Sequence, residues 1–286
     1  MSARSGAGYL SPAENSSINA QLKRSQTLSK VWFITGCSRG FGKTWASSAL
    51  ARGDRVIATA RDPSTLEDLV VMYGKQILPL KLDVCNRNDI HAVVSKGVEV
   101  FGQIDVVVNN AGYGLFCSVE DAPEAEVRNI FETNFLGQLW VIQEVLPVLR
   151  KQGHGHIVQI SSIAGLLALP GIGIYNSTKW ALEGLIETLA NEVRDFGIKV
   201  TLVEPGPHLT DWIGKSAVHP PRSPFYPSQE TLREKVWPAM VPAAPESTID
   251  AMLGIVDSED PPLRFLLGND LKPMIQKDMM QRLECI

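Results

Sequence analysis

A tyrosine and a lysine four residues apart, Tyr175 and Lys179, are the side chains of this sequence best suited to proton chemistry. The residues that follow carry apolar side chains at helical spacing (Leu182, Leu185 and Leu189), which predicts a helix with Tyr175 and Lys179 one turn apart on one face. A phenol ionises at pH ~10 in water, and a nearby ammonium favours the phenolate. We therefore expect Lys179 to lower the pKa of Tyr175 and to make it a usable general acid or base.

A serine upstream, Ser162, ends an apolar run and is a candidate to hydrogen-bond a developing oxyanion. The Tyr-x-x-x-Lys spacing is weak evidence by itself. A packed tyrosine and a solvent-exposed lysine at the start of a helix have the same pattern. The function therefore depends on what the rest of the chain places around these three residues.

A glycine-rich segment follows the first predicted strand, Val31–Thr35. Gly36, Gly40 and Gly42 stand between this strand and a segment of helical character. Strand, glycine turn and helix form the arrangement in which backbone N–H groups approach a pyrophosphate at a helix N-terminus. A P-loop is unlikely because Cys37 stands where that motif needs glycine. The segment predicts a dinucleotide site.

The residues around the end of the second predicted strand bear on the choice of nucleotide. Arg61 follows that strand and Arg39 lies in the glycine segment. Two guanidinium groups can grip one 2′-phosphate, which favours NADP(H). Asp62 keeps NAD(H) open, because a carboxylate there would bind the ribose 2′-hydroxyl. For either arginine alone, a solvated surface charge is the alternative.

Strand and helix patterns alternate along the chain. Further strands are predicted at residues 55–59, 77–82, 104–108, 157–160, 199–203 and 263–267, and helices at 45–50, 88–100, 123–149 and from 175 onward. This alternation predicts an α/β fold, a Rossmann-like, doubly wound parallel sheet with helices on both faces. Ligands bind such sheets at the carboxyl ends of the strands. The residues at or just past the predicted strand ends are Gly36, Arg61, Asp83, Asn109, Ser162 and Gly206.

The predicted domain organisation is a flexible N-terminal arm over residues 1–30 and a single domain over residues 31–286. The arm has few large apolar side chains, and an organelle-targeting peptide is the minority alternative. Over residues 207–245 the alternation is lost, and prolines and aromatic residues accumulate. We expect a substrate lid there, with a packing layer or an oligomer contact as the alternative.

Composition narrows the classes of function. The net charge is −4 and no basic stripe is present, which argues against a nucleic-acid partner. Four scattered cysteines, without a Cys-x-x-Cys pair or a His/Cys cluster, predict reduced thiols, no metal site and a cytoplasmic location. No apolar run is long enough to span a bilayer.

Together these residues resemble the short-chain dehydrogenase/reductase family over nearly all of residues 31–212. The motifs that carry the resemblance are Thr35-Gly36-Cys37-Ser38-Arg39-Gly40-Phe41-Gly42, Asp83, Asn109-Asn110-Ala111-Gly112, Asn134, Ser162, Tyr175 with Lys179, and Pro205-Gly206 with Thr210. Two runs, 112–116 and 155–165, resemble the branch that contains retinol dehydrogenases and 17β-hydroxysteroid dehydrogenases.

The resemblance implies roles for individual residues. Tyr175 would exchange the proton, Lys179 would bind the nicotinamide ribose and lower the pKa of Tyr175, and Ser162 would polarise the carbonyl. Asn134 would hold a water in a proton relay through Lys179, although a buried amide is by itself more typical of a satisfied core group. His208 departs from the family pattern. The remaining positions would bind the cofactor or line its site: Gly36, Ser38, Arg39, Gly40, Gly42, Arg61, Asp83, Asn109, Pro205, Gly206 and Thr210.

The predicted activity is that of an NADP(H)-dependent oxidoreductase that interconverts a hydrophobic ketone or aldehyde and its alcohol. The resemblance also implies a homodimer or homotetramer, formed through the helices that contain Asn134 and Tyr175. One alternative is a non-enzymatic protein on the same fold that senses NADP(H) or acts as a scaffold. Another is an enzyme that epimerises or dehydrates its substrate through a transient ketone. The complete set of Ser162, Tyr175 and Lys179 argues against the sensor.

Overall fold

The structure is a computed structural model that describes residues 29–212, 214, 216–221, 224–226, 242–268 and 271–286. Residues 1–28, nearly all of the predicted arm, lie outside the described residues. The same is true of much of the predicted lid, including residues 227–241.

One sheet contains all seven named strands, every pair parallel, in the order β3-β2-β1-β4-β5-β6-β7. The strands are β1 Val31–Ile34, β2 Arg55–Ala60, β3 Ile77–Lys81, β4 Val106–Asn109, β5 Gly155–Ile160, β6 Ile198–Pro205 and β7 Arg264–Leu267. The α-helices of the described residues are α1 Gly40–Ala51, α2 Glu67–Tyr73, α3 Arg87–Phe101, α4 Glu124–Phe131, α5 Gly137–Gln152, α6 Gly173–Val193, α7 Ile249–Asp257 and α8 Lys272–Glu284. The predicted fold class is confirmed.

Strand β1 shows why the strands have apolar residues at consecutive positions. Val31 and Phe33 pack into the core formed with α3, α5 and α6. Trp32 and Ile34 point to the opposite face and pack into the core formed with α1, α2 and α7. Because helices cover both faces of the sheet, neither side of the strand needs polar residues.

The strand order places a crevice beside β1. From β1 the chain builds outward through β2 and β3, and it then returns to build β4 to β7 on the other side. At this reversal the connections after β1 and β4 diverge, and a doubly wound sheet binds its ligands there. Thr35 continues the pairing beyond β1, because its N–H donates to the Val108 carbonyl at 3.0 Å.

Two predicted boundaries differ from the structure for identifiable reasons. Strand β4 begins at Val106 rather than Ile104, because the Gln152 side chain bonds both the N–H and the carbonyl of Ile104, at 3.0 and 2.8 Å. The helix predicted over residues 123–149 is interrupted by a π-helical turn, Glu132–Leu136, between α4 and α5. Among the described residues, no helix is both long and apolar enough to cross a membrane.

Candidate active site

A groove of about 960 Å³ opens at the carboxyl edge of the sheet. It runs along the ends of β1, β2, β4, β5 and β6 and along the start of α6. Twelve of the predicted site residues line it: Gly36, Ser38, Arg39, Gly40, Arg61, Asp83, Ser162, Tyr175, Lys179, Pro205, Gly206 and Thr210. The three that do not are Gly42, Asn109 and Asn134.

Tyr175 and Lys179 lie in the first two turns of α6 and face the groove. Both are almost fully buried, with 4% and 6% of their surfaces exposed. The Lys179 Nζ atom is 5.8 Å from the centre of the Tyr175 ring, and it donates a hydrogen bond to the Ile160 carbonyl at 2.9 Å. The carbonyl at the end of β5 therefore fixes where the ammonium points.

The pKa of Tyr175 moves in the direction opposite to the sequence prediction. Burial raises it well above its usual value, while hydrogen bonds with Ser162 and Trp212 lower it in part. The expected net lowering of the Tyr175 pKa is therefore wrong for this structure, because desolvation outweighs the groups that favour the phenolate. The ring is enclosed by apolar neighbours, and desolvation disfavours the phenolate. At neutral pH the phenol holds its proton.

Burial also governs the charge of Lys179. It lowers the pKa of the ammonium to about 8, and the carboxylate of Glu183, one turn further along α6, acts in the opposite direction. Desolvation disfavours the charged form of a lysine, whereas a neighbouring anion stabilises it. At neutral pH most of the Lys179 side chains carry a positive charge.

Ser162 follows the end of β5 and caps a short 3₁₀ turn, Ile163–Gly165. Its Oγ accepts a hydrogen bond from the Ala164 N–H at 3.1 Å. The hydroxyl also bonds Tyr175, and this bond lowers the pKa of the phenol in part. Ser162 and Tyr175 therefore present two hydroxyl groups side by side at the groove.

The glycine turn brings the N-terminus of α1 to the groove. Helix α1 begins at Gly40, has no acidic residue in its first turn, and is not capped by the Arg39 side chain. Its first N–H groups are suited to an anion. Gly42 instead allows close packing. A Cβ at this position would lie 2.3 Å from the Gly36 carbonyl oxygen, so only glycine lets α1 pack against the turn.

The asparagine that lines the groove is Asn110, one residue after the predicted Asn109. Asn109 is fully buried, and its Nδ2 donates to the Gln138 carbonyl and to Gln159 Oε1, each at 2.9 Å. Its side chain faces α5, and successive residues of an extended chain point to opposite sides. The Asn110 backbone N–H donates to Thr35 Oγ1 at 2.9 Å, which joins the turns after β1 and β4.

Asn134 lies in the π-helical turn and is 1% exposed. Its Oδ1 accepts from the Tyr113 N–H at 3.0 Å and its Nδ2 donates to the Tyr113 carbonyl at 2.8 Å. Both ends of the amide are thus bonded to the backbone of Tyr113, in the chain that follows β4, and Asn134 itself does not line the groove. This is the environment of a satisfied core group, and the relay through Lys179 stays a prediction.

The charged residues at the far end of the groove differ in whether they already bond another group of the protein. Arg39 forms an ion pair with Asp211 at 3.1 Å. Arg61 is exposed, lines the groove, and makes no hydrogen bond or ion pair with any described residue. Asp62 lies outside the groove lining, because its Oδ1 accepts from the N–H and the hydroxyl of Ser64 and caps the next 3₁₀ turn.

An apolar wall continues the groove beyond Tyr175. Trp212 lies against the Tyr175 ring with the ring centres 5.0 Å apart, and it meets Phe116 edge-on at the same distance. Val218 pairs with the chain after β4, donating to the Gly114 carbonyl at 2.9 Å. Sequence reasoning placed Trp212 only in a lid. Its contact with Tyr175 joins residues 37 positions apart, and no local pattern signals that.

Two further loop residues, Thr35 and His208, make contacts that hold neighbouring segments together. Thr35 Oγ1 accepts from the N–H groups of both Asn110 and Ala111, a role that a lone threonine after a strand does not reveal. His208 is half-buried, packs edge-on against Phe41 and bonds the Gly206 carbonyl at 2.9 Å. The described part of the chain holds no group of three or more residues that could bind a metal ion.

Proton-transfer groups beside a groove at the reversal point of a doubly wound sheet are the arrangement of a dinucleotide-binding oxidoreductase. Residues 30–219 match the family model described as short chain dehydrogenase. The chain belongs to this family, and the resemblance predicted from the sequence is confirmed.

Known relatives share most of the chain. Oxidoreductase BOA17 of Botryotinia fuckeliana is 43% identical over 249 residues, which cover 85% of this chain and 90% of that protein. Human retinol dehydrogenase 8 is 35% identical over 249 residues, 81% of this chain and 79% of the relative. A solved short-chain dehydrogenase from Streptomyces avermitilis superposes with a TM-score of 0.84 at 37% identity, covering 91% of this chain and 95% of that one.

Similar solved structures contain either nicotinamide nucleotide. ElxO, solved with NADP bound, has a TM-score of 0.70 at 26% identity and covers 84% of this chain and 96% of its own. A family member from Burkholderia phymatum, in complex with NAD, shares the fold with a TM-score of 0.77 at 22% identity, covering 89% of this chain and 95% of that one.

Proposed function

We propose that this protein is an NADP(H)-dependent oxidoreductase that interconverts a hydrophobic ketone or aldehyde and its alcohol. The observation that carries the proposal is the convergence of Ser162, Tyr175 and Lys179 on one groove, between the glycine turn and the apolar wall. The part of the groove beside the glycine turn suits a dinucleotide, and the part beside the apolar wall suits an apolar substrate.

The groove residues fit a dinucleotide. The uncapped N-terminus of α1 favours a pyrophosphate, and Asp83 lies in the lining where an adenosine would extend. Arg61, which pairs with no described residue, favours a 2′-phosphate, and the engagement of Asp62 in a cap removes the carboxylate that would serve NAD(H). When bound, the nicotinamide would give or take the hydride.

The proton would move at the Tyr175 hydroxyl. Because burial keeps this phenol protonated at neutral pH, it can donate to the oxygen of a carbonyl that is being reduced. Ser162 would hydrogen-bond the same oxygen and stabilise its developing charge. The Lys179 ammonium, held by Ile160, would stabilise the phenolate that remains.

The wall beyond Tyr175 supports an apolar substrate. Its apolar members that line the groove include Ala164, Leu169, Ile172, Trp212 and Val218, and the fully buried Leu115 and Ile130 belong to the same apolar cluster. Apolar lining with a few polar groups is typical of sites for hydrophobic small molecules. The similarity to a relative named retinol dehydrogenase points the same way, since retinol is an apolar alcohol.

Replacing Tyr175 with Phe tests the proposal. We expect Y175F to lose at least about 100-fold in kcat for reduction of a hydrophobic ketone, because the proton donor is gone and only the ring remains. NADPH binding, followed by fluorescence titration, is expected to change less than about threefold, since the ring itself stays. Absorbance of NADPH with a panel of ketones gives the turnover.

Tyr113 offers a matched control, because it is a second tyrosine in the groove lining. Y113F is expected to keep turnover within a few-fold of the parent. Near-parental turnover in Y175F would contradict the assignment. A parent chain that binds NADPH tightly but oxidises none of it with the ketone panel would favour the sensing or scaffolding alternative.

The proposal extends to a homodimer or homotetramer and to a reducing compartment such as the cytoplasm. All four cysteines are free: Cys37 and Cys117 are buried, and Cys85 and Cys285 are exposed. Exposed unpaired thiols are typical of proteins that stay in reducing surroundings. Residues around 207–245, of which Trp212 and Val218 line the groove, would form the substrate lid.

A further inference from the structure

A partly buried group of charges lies behind Lys179, outside the groove lining. It consists of Glu183 and Glu187 on α6, Glu204 on β6 and Arg264 on β7, and is called the Glu183 cluster below. Arg264 Nη1 pairs with Glu183 and, at 3.0 Å, with Glu204, and its Nη2 pairs with Glu187 at 2.9 Å. The side chains of Glu183 and Glu204 are only 8% and 4% exposed.

Glu183 connects this cluster to the strand that delivers Ser162. The Ser161 hydroxyl donates a hydrogen bond to Glu183 Oε1, and one turn earlier Lys179 donates to the Ile160 carbonyl at 2.9 Å. Helix α6 thereby holds the two residues directly before Ser162. These bonds fix the serine at the end of β5 relative to the helix that carries Tyr175.

The surrounding chain leaves room for this connection. A Cβ at Gly165 would lie 2.8 Å from Ser161 Oγ and 2.9 Å from Glu183 Oε1. Only a residue without a side chain fits at this point of the 3₁₀ turn while the serine and glutamate stay bonded. The turn after Ser162 is thus built around the Ser161–Glu183 contact.

Glu183 also supplies the negative charge that acts on Lys179. Among the described residues, the titratable side chains in contact with Lys179, or grouped with Glu183 around Arg264, are Tyr175, which is protonated, Glu204 and Glu187. Burial and the Glu183 charge raise the pKa of Glu204 to about 7, so Glu204 is ionised over most of the alkaline range in which Lys179 loses its proton. Glu183 alone among these groups opposes the effect of burial on the pKa of Lys179.

We propose that Glu183 is a positioning residue of the active site: its buried carboxylate, one helical turn from Lys179, orients the charge around that ammonium and, through its bond to Ser161, holds Ser162 in place opposite Tyr175. Glu183 does not line the groove, so it acts on substrate and cofactor only through these neighbours. Its catalytic meaning rests on the proposed function, whereas its effect on Lys179 does not.

The charge effect is tested by titrating Lys179 in the cofactor-free protein. Competitive acetylation with acetic anhydride over pH 6 to 11, followed by peptide mass spectrometry, gives the midpoint for Lys179. E183Q keeps an oxygen for Ser161 but removes the charge, and we expect the midpoint to fall by about one pH unit. An unchanged midpoint would overturn this part of the proposal.

Glu187 provides the matched control, because it pairs with the same arginine but its side chain is 57% exposed. E187Q is expected to leave the Lys179 midpoint where it is in the parent. An equal fall in both variants would assign the effect to the net charge of the helix and would overturn the proposal for Glu183. Neither measurement needs a substrate, so both hold even if the proposed oxidoreductase activity is absent.

The positioning of Ser162 is tested by S161A, which removes the hydroxyl and leaves the Glu183 charge. We expect kcat to fall about tenfold with the KM for NADPH within twofold of the parent, and the Lys179 midpoint to stay the same. Thermal unfolding checks that the variant is folded. Parental kcat in folded S161A would overturn the role of the serine contact.

Discussion

At the scale of single residues, burial moves the pKa values of Tyr175 and Lys179 in opposite directions. Desolvation favours the neutral form of each group. It therefore makes the phenol harder to deprotonate and the ammonium easier to deprotonate. The resting site at neutral pH holds a neutral proton donor beside a cation that Glu183 helps to keep charged. This state suits reduction of a carbonyl.

Arg61 is expected to set the nucleotide preference. R61D should raise the Kd for NADPH by about 10- to 100-fold, because a charge-assisted hydrogen bond to a phosphate contributes ~1.5–3 kcal/mol and the new carboxylate repels the phosphate. NADH binding should change far less. Fluorescence titration with both nucleotides measures the two constants.

Asp62 separates this interpretation from an NAD(H) site. D62N keeps an oxygen that can cap the turn at Ser64, and we expect it to leave both nucleotide affinities within about twofold of the parent. If D62N weakened NADH binding while R61D left NADPH binding unchanged, the 2′-phosphate role of Arg61 would be wrong.

At the scale of elements, the contact between α1 and the turn after β1 shapes the anion-binding end of the groove. G42A places a Cβ 2.3 Å from a backbone oxygen that cannot move cheaply. We expect the free energy of unfolding to fall by ~1–3 kcal/mol and NADPH affinity to fall with it, because the helix N-terminus must shift. Urea unfolding and NADPH titration give the two values.

Gly184 is the control for this substitution. It is an exposed position inside α6, and a Cβ there would meet no atom within 4 Å. G184A is expected to stabilise the protein by ~0.5–1 kcal/mol, since alanine loses less backbone entropy than glycine in a helix. Equal effects of G42A and G184A would mean that the close approach at Gly42 does not limit α1.

At the scale of the whole molecule, stability should depend on pH through His156 in the sheet. Its Nε2 bonds Thr201 Oγ1 at 3.0 Å, while its Nδ1 makes no hydrogen bond with any described residue. Burial lowers the pKa of this imidazole to about 3, and Lys199 and Lys30 act in the same direction. Protonation is therefore far more favourable in the unfolded chain.

The sign of the effect follows from this difference. An unfolded histidine has a pKa of ~6.5, so between pH ~6.5 and about 3 the unfolded state binds the additional proton. The contribution of neutral His156 to the free energy of unfolding is fully present above pH ~6.5. Below that pH it falls by up to ~1.4 kcal/mol per pH unit.

Urea unfolding at a series of pH values from 7 to 4 measures this slope. H156Q removes the titrating ring, and we expect its stability to depend less steeply on pH than that of the parent. An identical slope in H156Q and the parent would exclude His156 as the source.

Local sequence was enough to predict the sheet and most of the groove. Strands buried on both faces must be apolar along their length, and strand ends in a parallel sheet share one edge, so the positions of Gly36, Arg61, Asp83 and Ser162 in the chain already imply that they lie together. The spacing of Tyr175 and Lys179 likewise required one helix face. Each of these inferences uses a periodicity that neighbouring residues carry.

The tertiary structure decided the features that depend on contacts between distant segments. The pKa of Tyr175 rises because segments far apart in the chain enclose the ring, Trp212 among them. The Asn109 side chain points toward Gln138 of α5, so the asparagine that lines the groove is Asn110. The pairing of Glu183 with Arg264, 81 residues away, has no local signature. Desolvation and buried charge pairing arise only when the chain has folded, and local periodicity carries no information about them.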